Sequence, residues 1–220
     1  MQKLIAGITA ALFMLLSVAT VTCAHADTLQ ADNGKLLPPS GLSFEAKSIF
    51  DHGIVPNLEA NVSYGAFPSF TVSGQFYQDG LNHDGTSQTI VKVAFSPMRQ
   101  TFGYTAYLGY DLNHGQIPMY GLTLWSDLNY LYSYVNLESR AGVAGEPSAL
   151  WLTPGVSLRL GSRLSVGGEV EAKPDNFSLQ RLRLGAAYAL NRYLKVKATM
   201  ETGLFGASET AFRVGIAAGI

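Results

Sequence analysis

The sequence predicts an all-β chain, folded as a transmembrane antiparallel up-and-down β-barrel of about twelve strands, with ten as the alternative count. Three observations carry this. Downstream of Gly41, apolar residues recur with a period of two, the mark of strands with unlike faces. The connections between these segments alternate between tight turns and longer polar loops. The faces opposite the apolar ones carry charges, and about twelve strands enclose an interior that the apolar set would fill only awkwardly, so the charged faces are expected inside.

The elements follow in order. Lys3, the apolar run from Leu4 to about Val18, and the Ala-x-Ala site in "CAHA" at 23–26 read as a secretory signal peptide over residues 1–26. The apolar core is short for a helix that must supply about 20 apolar residues to span a bilayer. Thr22 is an unusual neighbour for a lipidated cysteine. Cleavage after Ala26 removes Cys23, the one cysteine, so no disulfide or thiolate chemistry is expected of the mature chain. Residues 27–40, "DTLQADNGKLLPPS", read as a flexible N-terminal lead-in, and 41–220 as the barrel.

Strands are predicted at 42–50, 57–67, 69–78, 88–96, 101–112, 118–126, 129–138, 148–160, 163–173, 178–189, 193–204 and 210–220. In "TFGYTAYLGYDLN" the apolar face is Phe102, Tyr104, Ala106, Leu108, Tyr110 and Leu112, against Thr101, Gly103, Thr105, Tyr107, Gly109 and Asp111. No helical amphipathic stretch, repeat or second-domain linker follows the signal peptide. An even strand count places both chain ends and every tight turn on one side, and the longer loops on the other.

The charges decide which face looks inward. In "SLRLGSRLSVGGEVEAKP" Leu158, Leu160, Leu164, Val166 and Val170 oppose Arg159, Arg163, Glu169, Glu171 and Lys173. In "QRLRLGAAYALNRYLKVKATM" Leu182, Leu184, Leu194 and Val196 oppose Arg181, Arg183, Lys195 and Lys197, with Arg192 in the turn. A soluble barrel would have to fill its inside with the apolar set, which is awkward at twelve strands because about eight already enclose only side chains or one small ligand. In lipid the roles reverse, and closure pairs every backbone group. Aromatic residues near strand ends, Phe67, Phe70, Trp125, Tyr130, Trp151, Tyr193 and Phe205, are expected in interfacial girdles.

On these features the chain resembles the small outer-membrane β-barrels of Gram-negative bacteria over about 41–220. Within that class it is similar to the oligogalacturonate-type porins, monomeric twelve-stranded channels lined by basic residues. The local echo is the tail "METGLFGASETAFRVGIAAGI". Such barrels usually end on an aromatic residue, whereas this chain ends on Ile220.

The resemblance implies a channel for passive diffusion of small, anionic or acidic-sugar solutes, in the outer membrane, with membrane lipid, small solutes and the barrel assembly machinery as partners. The residues expected to line the lumen are Arg159, Arg163, Arg181, Arg183, Lys195, Lys197 and Arg213, with Glu169 and Glu171 among them and Lys47, Lys92, Glu45, Glu59 and Glu201 elsewhere on the same wall. The alternative is a structural barrel, its interior filled by salt bridges, serving as anchor, adhesin or assembly partner through its outer loops.

Enzyme chemistry is not expected. His52, His83 and His114 fall in loops beside Asp51, Asp84 and Asn113, at spacings that repeat no metal or triad pattern, and "GVSLR" lacks the second glycine of a nucleophile elbow. Glu169 and Glu171, about 6.6 Å apart on one strand face, are expected to pair with Arg159, Lys173, Arg183 or Lys197 rather than act as an acid and a base. No catalytic residue, metal or cofactor is assigned. The formal net charge of −1 and the dilution of cations among apolar residues speak against nucleic acid as a partner.

Overall fold

The computed structural model describes residues 36–50, 57–78, 87–97, 101–113, 116–141, 149–175, 178–204 and 210–220. The expected signal peptide and most of the lead-in lie outside them, as do His52, His83, His114 and Phe205. Among the described residues there are twelve strands: β1 (Leu42–Phe50), β2 (Asn57–Phe67), β3 (Phe70–Gln78), β4 (Ser87–Phe95), β5 (Phe102–Asp111), β6 (Gln116–Asp127), β7 (Leu131–Arg140), β8 (Ala149–Leu160), β9 (Leu164–Lys173), β10 (Ser178–Ala189), β11 (Leu194–Gly203) and β12 (Thr210–Gly219). Each pairs antiparallel with its sequence neighbours, and β1 pairs with β12, closing the barrel. Leu42 and Ile220 exchange two backbone hydrogen bonds of 2.8 Å across that closure.

The observed strands lie close to the predicted ones. β7 is shifted by two residues at both ends, Leu131–Arg140 rather than 129–138, because the chain must first reverse. Asn129 takes a left-handed φ of 65°, and the Asp127 carboxylate accepts its backbone N–H at 3.2 Å. Gly161, at φ 79°, makes the corresponding reversal between β8 and β9, where an L side chain would be strained.

The two faces divide as the alternation requires. Leu58, Val62, Tyr104, Leu108, Leu122, Leu124, Leu184 and Ile216 all stand exposed on the outside, Leu184 at 47% and Ile216 at 51%. Buried side chains are instead largely polar: Thr105, Thr123, Asn136, Glu138, Thr153, Glu169, Glu171, Arg183, Lys197 and Glu201. A greasy exterior around a polar interior suits a solvent of hydrocarbon rather than water, and a closed ladder leaves no edge in it. This is a transmembrane barrel.

The aromatic girdle forms in part. Phe67, Phe70 and Phe95 make a ring cluster at the turn end, with Phe67 and Phe70 edge to face at 6.4 Å and Phe70 and Phe95 at 4.8 Å. Phe102 and Tyr130 are exposed at the same end. Trp125 and Trp151 depart from expectation. Trp125 alternates with outward Leu122 and Leu124, so its indole points inward and donates to Thr105 Oγ1 at 3.2 Å. Trp151 faces Glu138 across the ladder and lies under the Arg140 guanidinium and the Lys173 ammonium, 4.9 and 5.0 Å from its ring centre.

Candidate functional site: the charged interior

Register builds the site. Ladder pairing sets Arg183 of β10 directly across from Glu169 of β9 on one side and Glu201 of β11 on the other, with Arg181 across from Glu171. Directly opposed side chains on one face of a sheet lie within reach of each other. The Arg183 guanidinium, with five donors in a planar fork, therefore meets three carboxylates: Glu169 at 2.7 Å, Glu201 at 2.8 Å and Glu171 at 3.2 Å.

The network spreads from there. Arg213 of β12 and Arg181 both bond Glu201, at 2.9 and 3.2 Å. Arg140 of β7 bonds Glu171 at 3.0 Å and also Glu138. A second cluster joins Lys197 to Glu45 at 2.9 Å and Lys47 to Glu45 and Glu59 at 3.5 and 3.3 Å, and Gln75 donates to Glu59 at 3.2 Å. At the turn end Arg159 pairs with Asp127 at 2.9 Å.

The wall from β5 to β8 is built differently, by aromatic rings laid flat over glycines. A Cβ added at Gly155 would stand 2.3 Å from Tyr134 Cζ, one at Gly121 would stand 2.5 Å from the Tyr107 hydroxyl, and one at Gly103 would stand 2.4 Å from Trp125 Cζ2. Crossing a glycine lets a phenol reach the strand beyond it. The Tyr134 hydroxyl bonds Glu169 two strands away. That of Tyr107 bonds Glu138 at 2.5 Å and Asn136 at 3.0 Å, and the Lys92 ammonium sits 4.0 Å over the Tyr107 ring.

These seats make a prediction. Gly155→Ala is expected to lift Tyr134 off the wall and cost about 1–3 kcal/mol as overpacking. Tyr134→Phe, which keeps the ring and loses one hydrogen bond, should cost about 0.5–1.5 kcal/mol. Urea unfolding read by heat-modifiable gel migration compares the two, and a Gly155→Ala chain as stable as the parent would remove the seat.

Burial varies within the network, and Arg183 and Lys197, at 4% and 7% exposed, are covered as the carboxylates are. Glu169 and Glu171 are 2% and 1% exposed, pinned to the wall on short side chains, whereas Arg181 and Arg140 are 49% and 32% exposed by side chain. Arg181 and Arg140, on long flexible side chains, keep their charged heads partly in water.

Of the predicted lining residues, Arg183, Arg181, Arg213, Glu169 and Glu171 gather in the network around Arg183, and Lys197 in the second cluster with Glu45. Arg159 faces inward at the turn end, and Lys195 lies half-buried on the inward face of β11. Arg163 departs from expectation: it stands exposed in the turn 161–163, because β9 begins only at Leu164 after the Gly161 reversal. Glu138, Arg140 and Tyr134 were not foreseen as site residues. Their signal is the alternation Tyr132, Tyr134, Asn136, Glu138, Arg140, which carries the inward face two residues past the expected strand end.

Closed ladder, apolar belt and polar interior together define a transmembrane β-barrel. Among solved structures the chain is similar to a KdgM porin in complex with disordered oligogalacturonate, with a TM-score of 0.65, 12% identity, and coverage of 80% of this chain and 98% of that one. It is also similar to the NanC porin, with a TM-score of 0.58, 11% identity and coverage of 80% and 98%. The translocator domain of the autotransporter NalP from Neisseria meningitidis matches at a TM-score of 0.50 and 13% identity, over 81% of this chain and 88% of that one. No protein-family model and no curated protein matches the sequence.

Proposed function

We propose that the mature chain, released from its signal peptide near Ala26 and inserted with the help of the barrel assembly machinery, is a passive channel of the bacterial outer membrane for small anionic solutes, acidic sugars among them. The observation that carries this reading is the exposure of two cations: Arg181 and Arg140 are 49% and 32% exposed by side chain, while Glu138, Glu169, Glu171 and Glu201 around them are at most 8% exposed. Where a low-dielectric wall surrounds the bore, such heads favour entry of anions. The likeness to KdgM supports the same reading, since that porin is described with an acidic oligosaccharide.

Planar-bilayer recording of the refolded protein tests it. The parent should conduct and favour anions. Arg181→Gln with Arg159→Gln should fold normally and lose part of that preference, most at low salt, where the screening length grows to about 30 Å at 0.01 M. A second reading has its own support: near-complete burial of Thr105, Thr123, Glu169 and Glu171 shows side chains packed over much of the wall. A barrel serving only as an anchor or adhesin through its loops would then give no current in the same recording.

A further inference from the structure

The chain immediately before β1 does not run away from the barrel. Ser40 takes a left-handed φ of 61°, Gly41 donates its N–H back to Pro38 O at 2.9 Å, and Ser40 donates to Gly65 O at 2.8 Å. This tight reversal folds residues 36–39 back over β2 and β3. The face they lie on is the inner one. Leu37 donates its backbone N–H to Thr71 Oγ1 at 3.0 Å, and Thr71 alternates in step with inward Ser73 and Gln75, the latter bonded to Glu59 inside the barrel.

The wall is shaped for this segment. A Cβ on Gly65 would stand 2.0 Å from Pro38 O and 3.1 Å from Leu37 O, so only glycine leaves room. Across the ladder from Gly65 comes Thr71, and across from Thr71 comes Ala94: three small inward residues in a row, with Thr71 5% exposed. Elsewhere the inner wall at this end carries Trp125 and Arg159. A shallow niche with a backbone hydrogen bond at its floor is thus filled by the chain's own Leu37–Pro38.

We infer that residues 36–39 form a built-in constriction at the turn-side mouth of the bore, held in the Gly65–Thr71–Ala94 niche. The inference rests on the channel reading above for its effect on current, and on geometry alone for the position of the segment. The constriction narrows the mouth on the side where β1 begins and β12 ends.

The experiment has a structural arm and an electrical one. Leu37→Cys with Thr71→Cys puts one thiol on each of the two residues that the hydrogen bond from Leu37 N–H to Thr71 Oγ1 holds together, and a disulfide spans Cα separations of about 4.4–6.8 Å. Mild oxidation of the refolded protein should make both thiols resistant to alkylation, as read by mass. Gly65→Ala should expel the segment, leaving Leu37→Cys freely alkylated, and should raise single-channel conductance. A chain lacking residues 27–40 should raise it likewise, and the oxidised Leu37→Cys/Thr71→Cys pair should conduct less than its reduced form. Failure of the pair to cross-link would overturn the inference. So would cross-linking with identical currents in parent, Gly65→Ala and truncated chains. Cross-linking with no current in any of them overturns the channel reading, and the constricting role with it, while leaving the segment in its niche.

Discussion

Replacing Arg183 by Met is expected to destabilise the barrel by about 3–5 kcal/mol, the range for removing one partner of a buried ion pair. Three carboxylates converge on this guanidinium, and its loss is unequal among them. Glu201 keeps Arg213 and Arg181, and Glu171 keeps Arg140. Glu169 keeps the Tyr134 hydroxyl. Adding Glu169→Gln to Arg183→Met removes one of the three converging negative charges and should recover part of the loss. Arg183→Lys should fall between, since an ammonium is a point donor that does not span three acceptors. Urea unfolding in lipid, followed by heat-modifiable migration, measures all of these against Arg192→Met in the exposed turn. An Arg183→Met barrel no weaker than that control would show that the network contributes nothing to stability.

Leu184→Arg is expected to cost about 2–4 kcal/mol, the penalty for a cation on the lipid face near the bilayer midplane. Its neighbour offers the contrast. Gly185 points into the barrel between Gly167 and Thr199, where small residues leave space for a long side chain, so Gly185→Arg should be far milder. Val196→Arg and Thr199→Arg repeat the comparison one strand over, since Val196 stands beside outward Tyr188 and Ile216. Equal responses from the outward and inward members of each pair would show the two faces to be misassigned.

Strand count, strand positions and the choice of faces were legible in the sequence because a barrel wall repeats one local rule. Period-two alternation is read along the chain with no knowledge of what lies beside it. What stayed hidden depends on lateral neighbours. That Arg183 opposes Glu169 and Glu201, and Arg181 opposes Glu171, follows from register, which the sequence states only through turn lengths. The sequence therefore showed cations on a wet face and left open whether they stood alone or paired. Trp125 and Trp151 were misplaced for another reason: nearness to a strand end suggested a girdle, although Leu122 and Leu124 already put residue 125 on the other side. The inward fold of residues 36–39 left no periodic trace, since it hangs on one left-handed residue and one glycine seat.

The aromatic rings lying over glycines have a consequence for how the strands find their alignment. Sliding one strand past its neighbour by two residues keeps every apolar side chain outside, so lipid cannot tell the slipped pairing from the correct one. The rings can. Tyr134 shifted by two along β8 would meet Thr153 or Ser157 in place of Gly155, and Tyr107 shifted along β6 would meet Met119 or Thr123 in place of Gly121. Each alternative carries a Cβ where the ring must lie. Gly103, Gly121 and Gly155 therefore act as notches into which one ring each must drop, two on the β5–β6 ladder and one on the β7–β8 ladder, where the polarity pattern leaves the strands free to slide.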